Sequence, residues 1–95
     1  MFVTWEHAGR ILLAKVDLNR WQVDAPVTVS KSGKFPLVLL DADVLLIAWK
    51  DGTRLRWQSF QPHSLERREK GSAATNSPHR PAGVAVPGGT FLLLP

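Results

Sequence analysis

The chain has 95 residues, 44% hydrophobic and 21% charged, with 12 Lys and Arg against 8 Asp and Glu for a net charge of +4. It has no cysteine, which excludes disulfides and thiolate metal sites and leaves the redox compartment open. No run approaches the roughly 18 apolar residues of a membrane-spanning helix, and basic residues spread from Arg10 to Arg80 argue against a nucleic-acid interface.

A chain of this size buries only about 60–65% of the surface its unfolded form exposes, so one modest core is expected. The N-terminus has no positive start, and Glu6 and His7 interrupt it where a signal peptide would be apolar. The expected location is therefore cytoplasmic by default, unless the chain is a piece of a larger exported protein.

In chain order, "MFVTW" opens as a strand and "RILLAKV" returns it. "DLNR" is a turn, which makes the following Trp21 the most accessible tryptophan. "WQVDAPVTVSKS" alternates at Val27 and Val29, and its Pro26 suits an edge strand. "PLVLL" is short and apolar, "DAD" turns it, and "VLLIAW" runs back with six apolar residues and no polar face. Asp-Gly in "KDG" marks a tight hairpin, after which "TRLRWQSF" sets Leu55 and Trp57 on one face and Arg54, Arg56 and Gln58 on the other. "SLERREKGSA" has Leu65 as its only large apolar residue, so a worn outer strand or loop is favoured over one helical turn capped by Ser64 and Gly71. "RPAGVAVPGGTFLL" closes as a hairpin.

Two segments repeat. "VTWEHAGRILLAKV" aligns with "IAWKDGTRLRWQSF" at an offset of 44, placing Trp5 on Trp49 and Ile11, Leu13 and Val16 on Leu55, Trp57 and Phe60. "FPLVLLDADVLLI" aligns with "RPAGVAVPGGTFLL" at 45, with Pro36 on Pro81 and Leu46-Ile47 on Phe91-Leu92. Each unit reads as four antiparallel strands grading from apolar to polar. This is the pattern of an all-β propeller-type blade, whose inner strands are covered on both faces by neighbouring blades. The division expected is a partial blade over 1–34, a full blade over 35–79 and a partial blade over 80–95, within a single domain. A small β-sandwich or open barrel is the alternative, although its strands would normally alternate apolar and polar. About two blades cannot close a ring, so a homo-oligomer is expected, with a trimer of six blades favoured.

The segment from Phe35 to Phe60, followed by "GSAATNSPHRPAGVAVPGGTFLLLP", resembles the C-terminal blades of bacterial sialidase-like propeller proteins. The resemblance lies in the Trp-x-Asp-Gly turn at Trp49–Gly52, the "LRWQSF" strand and the "PAGVAVPGGTFLL" hairpin. True sialidases use a Tyr nucleophile paired with Glu, an Asp acid/base and three Arg on the substrate carboxylate. This chain has no Tyr, none of its Arg can be placed on that triad, and the Asp-box turn is absent. The resemblance thus implies the fold without the activity, and a sialidase-like glycoside hydrolase ranks third among the functions expected.

For sites, the tryptophans carry most. Trp5, Trp21, Trp49 and Trp57 are candidates for stacking on a sugar, with core packing as the competing role. Arg54 and Arg56 share a polar face and are candidates for an anionic ligand. Asp41 and Asp43 suit turn chemistry better than catalysis. His7, His63 and His79 lack metal-ligand spacing, Pro87–Thr90 lacks the Lys of a phosphate loop, and no Ser–His–Asp set can be assembled from spacing. The function expected is a non-catalytic binding module for carbohydrate or a small anion, without cofactor or metal. A structural, self-assembling propeller fragment is the alternative.

Overall fold

A computed structural model describes residues 1–41, 43–75, 80–86 and 90–94. Among these residues ten strands, every pairing antiparallel, make up the regular structure. Among the described residues no helix is long and apolar enough to cross a membrane.

Among the described residues the strands form three sheets and close no barrel. In the first, β1 (Phe2–His7) and β2 (Arg10–Asp17) make a hairpin, and β3 (Gln22–Val23) and β4 (Val27–Ser30) both pair with β2. The return strand is broken before Pro26, which has no N–H to donate; the preceding Asp24 N–H still reaches the Lys15 carbonyl at 3.0 Å. The second sheet is a meander of β5 (Lys34–Asp41), β6 (Val44–Asp51), β7 (Arg54–Phe60) and β8 (Arg67–Ala74). The third is the hairpin of β9 (Ala82–Val86) and β10 (Thr90–Leu94). The Asp-Gly hairpin forms as expected: Asp51 pairs with Arg54, and Gly52 sits at φ +61°, which costs a residue without Cβ nothing.

The placement of β6 explains its apolar run. Leu45, Ile47 and Trp49 pack with Phe60 against Ile11 and Leu13 of β2 and Val29 of β4. The alternate residues Leu46 and Ala48 face the other way and are only 6% and 1% exposed. On that side lies the third sheet: Phe91 and Leu93 share a cleft wall with Val44 and Leu46, and β9 runs beside β5. Covering one Leu, Ile or Phe fully is worth about 1.5–3 kcal/mol, so a strand covered on both faces contributes several such increments. The polar "RREKGSAA" strand is β8, the edge of the middle sheet.

The pairings of the first two sheets coincide at an offset of 44. Trp5 faces Leu12 as Trp49 faces Arg56, Leu13 faces Val27 as Trp57 faces Gly71, and Val16 faces Val23 as Phe60 faces Arg67. The turns match too. Asp17 Oδ1 accepts the N–H groups of Asn19 and Arg20 at 3.0 and 3.3 Å, while Gln61 Oε1 accepts those of His63 and Ser64 at 2.6 and 2.7 Å. Trp21 and Leu65 then adopt φ +52° and +57°. The correspondence lapses at Ile11, which a bulge pairs with Ser30.

One alignment needs correction. Leu40 pairs with Leu45, and its counterpart Ala85 pairs with Phe91, so Phe91 takes the place of Leu45 and not of Leu46. Two residues separate Asp41 from Val44, but three separate Val86 from Thr90. The additional residue shifts β10 by one, which turns Phe91, Leu92 and Leu93 to the face opposite the one that alignment implies.

Candidate functional site

Three of the six sequence candidates meet at a cleft of about 390 Å³ between the outer edges of the first two sheets, lined by Trp49, Arg56 and Trp57 together with Arg67, Lys70 and Ser72. The middle sheet delivers them by register: Arg56 lies between Trp49 on β6 and Ser72 on β8, and Lys70 pairs with Gln58. The Trp57 ring lies across Gly71, where any Cβ would fall 2.7 Å from its Nε1. Trp57 therefore keeps one edge on this cleft and another on the larger cleft of the opposite face.

The cleft is basic. Its lining holds Arg56, Arg67 and Lys70 and no carboxylate. Arg67 is fixed between the sheets: Nη1 donates to the Val29 carbonyl at 3.2 Å, Nη2 donates to the Thr28 carbonyl, and the guanidinium stands 5.5 Å from the centre of the Phe60 ring. Asp51 is the nearest partner of Arg56, with Oδ2 3.2 Å from Nε, and it also accepts the Ser32 hydroxyl at 3.0 Å.

The donors here are incompletely satisfied. Among the described residues, the buried side-chain nitrogens and oxygens without a hydrogen-bond partner are Trp49 Nε1 and Arg56 Nε. Arg56 Nε has the Asp51 charge beside it but not the geometry of a hydrogen bond. Each can only donate, and leaving a buried donor unpaired costs about 1–3 kcal/mol. Both belong to residues that line the cleft, and Arg56 is itself one of its three cations.

The remaining candidates lie elsewhere. Trp5 is half-buried in a second cleft, of about 500 Å³, with Lys34, Phe35 and Arg80. There the Arg80 guanidinium stands 5.1 Å from the Phe35 ring centre, and Phe35 is held at φ +55°. Trp21 is 85% exposed on its turn, as its position after "DLNR" implied. Arg54 is exposed and outside both clefts, donating through Nη2 to Ser72 Oγ at 2.8 Å and so tying the hairpin end to β8. His7 and His63 are exposed and apart, and His79 lies outside the described residues, as do Ala42 between the two aspartates and the glycines of "PGGT". Among the described residues no three His, Cys, Asp or Glu gather as metal ligands.

Sequence reasoning passed over Arg67 and Lys70, which look like solvated charges of a polar strand until β8 is paired with β7 and Arg67 reaches the carbonyls of Thr28 and Val29. It also passed over Phe35 and Arg80. Their signal was present, since each precedes the repeated proline, Pro36 or Pro81. No protein-family model matches the chain, and no curated protein or solved structure matches it either.

Proposed function

We propose that the chain is a non-catalytic binding module of propeller-type blades, and that the Trp49–Arg56–Lys70 cleft takes a small ligand bearing a carboxylate, an acidic sugar being the class that fits best. The observation carrying this reading is the cleft lining, in which Arg56, Arg67 and Lys70 gather beside Trp49 and Trp57 with no acid among them. A carboxylate offers charge to Arg56 and Lys70, and charge-assisted bonds of this kind are about twice as strong as neutral ones. The exposed edge of Trp57 offers an apolar surface to a sugar ring.

On this reading the β5–β8 meander is the complete blade, and copies of the chain close a ring, three of them giving six blades. The structural alternative, self-assembly with no small ligand, gives the gathered cations of this cleft no role.

The test follows the Trp49 indole N–H resonance by NMR while glucuronate is added, with glucose as the neutral control. Glucuronate should move it saturably and glucose should not, and Lys70→Glu should weaken glucuronate binding on the order of tenfold, about 1.4 kcal/mol. An indole resonance that ignores glucuronate, or that responds equally to glucose, contradicts the proposal.

A further inference from the structure

The cleft of about 500 Å³ takes lining from all three sheets: Trp5 from β1, Lys34 and Phe35 from the start of β5, and Arg80 from the segment entering β9. A bulge shapes it. Lys34 pairs with Lys50 and Leu37 with Ala48, which sets Phe35 and Pro36 together against the single residue Trp49. Gly is the usual residue at the left-handed position of such a bulge, and a residue before proline is pushed toward extended backbone. Phe35 meets neither preference. It sits at φ +55° before Pro36, with its ring 39% exposed and outside the core shared by the first two sheets. Core packing therefore does not account for a bulky aromatic residue held in a costly conformation, and backbone strain of this kind gathers at ligand clamps.

The bulge brings the Phe35 ring to Arg80, whose guanidinium stands 5.1 Å from the ring centre. Stacking uses the face of a guanidinium and leaves its N–H groups, which lie in its plane, available to a carboxylate. Among the described residues neither Arg80 nor Lys34 is in an ion pair. Glu6 is the one acid of the lining, which leaves it one positive charge in excess. Trp5 is half-buried in the same cleft, and Pro36 and Pro81 add apolar surface. A sugar would find few partners here. Among the described residues the one hydroxyl of the lining, Thr4 Oγ1, already donates to the Leu12 carbonyl at 2.8 Å.

We propose that this cleft binds a small planar aromatic carboxylate, with its ring against Trp5 and Phe35 and its carboxylate on Arg80 and Lys34. The ring gains apolar contact and edge-on or offset aromatic packing, and the carboxylate takes paired N–H groups from one guanidinium. A single negative charge matches the excess of the lining. The site shares no residue with the Trp49–Arg56–Lys70 cleft, so either can fail without the other.

The experiment follows the Trp5 indole N–H resonance by NMR while benzoate is added. Acetate supplies the charge without the ring, and benzyl alcohol the ring without the charge. Benzoate should move the resonance saturably, while either control should need a concentration on the order of tenfold higher. Arg80→Gln removes the charge from an exposed side chain and should weaken benzoate binding about tenfold. Phe35→Gly accepts the left-handed backbone without strain. By circular dichroism it should melt close to the wild type, yet bind benzoate as weakly as Arg80→Gln does. A Trp5 resonance that ignores benzoate, or that responds equally to acetate or benzyl alcohol, overturns the proposal. So does benzoate binding that survives either substitution at full strength. A Phe35→Gly protein that melts far below the wild type overturns it as well, because the strained ring would then serve packing.

Discussion

Replacing Phe60 by alanine should remove about 3–5 kcal/mol of stability, a large share of the roughly 5–15 kcal/mol available to a domain. Phe60 is fully buried, pairs with Leu45 on one side and Arg67 on the other, and touches the core shared by the first two sheets. Its loss leaves a cavity between the sheets and takes away the ring beneath the Arg67 guanidinium, so intersheet packing and the anchoring of Arg67 fail together. Urea unfolding followed by circular dichroism should show the variant largely unfolded, or its midpoint far lower with an unchanged slope. A loss under about 1 kcal/mol would mean that the cavity collapses without cost, which close packing does not allow.

Gly33→Ala should be the second most damaging change, at about 2–4 kcal/mol, although it adds one methyl group at a loop position. Gly33 adopts φ +145°, and a Cβ there would lie 3.1 Å from Ile11 Cγ1 and closer still to Trp49 Cδ1. The cost combines overpacking of a filled core, about 1–3 kcal/mol, with backbone strain in a region open essentially to glycine. Gly52→Ala is the control. It has a positive φ of +61° but no atom within 4 Å of an added Cβ, so it should lose only about 1 kcal/mol. Thermal unfolding of the two variants should rank them in that order. Equal losses would show that Gly33 is chosen for its backbone alone.

Much of the fold was legible because local chemistry and the tertiary arrangement agree. A run with no polar face, "VLLIAW", needs cover on both sides, and β6 has it. Asp51-Gly52 demands a tight hairpin, and the matched Trp5 and Trp49 carried the register of two whole sheets. The register of β10 was not legible, because one additional turn residue reverses the parity of a strand while leaving its composition unchanged. The site was legible in part. Trp49, Arg56 and Trp57 drew attention by residue type, but their meeting with Arg67 and Lys70 depends on the register in which β8 pairs with β7, and on the Arg67 side chain reaching the Val29 carbonyl some 40 residues earlier in the chain. An unsatisfied donor is a property of three-dimensional packing, and no sequence pattern encodes it.

The central claim, that the middle sheet lies between two other sheets, is tested most directly by nuclear Overhauser contacts in a uniformly labelled sample. Contacts from Ile47 and Trp49 to Ile11 and Leu13 on one side, and from Leu39 to Gly83 on the other, are predicted together. If either set is absent while the pairings of β6 with β5 and β7 persist, the middle sheet is covered on one face only and the stacked arrangement is contradicted.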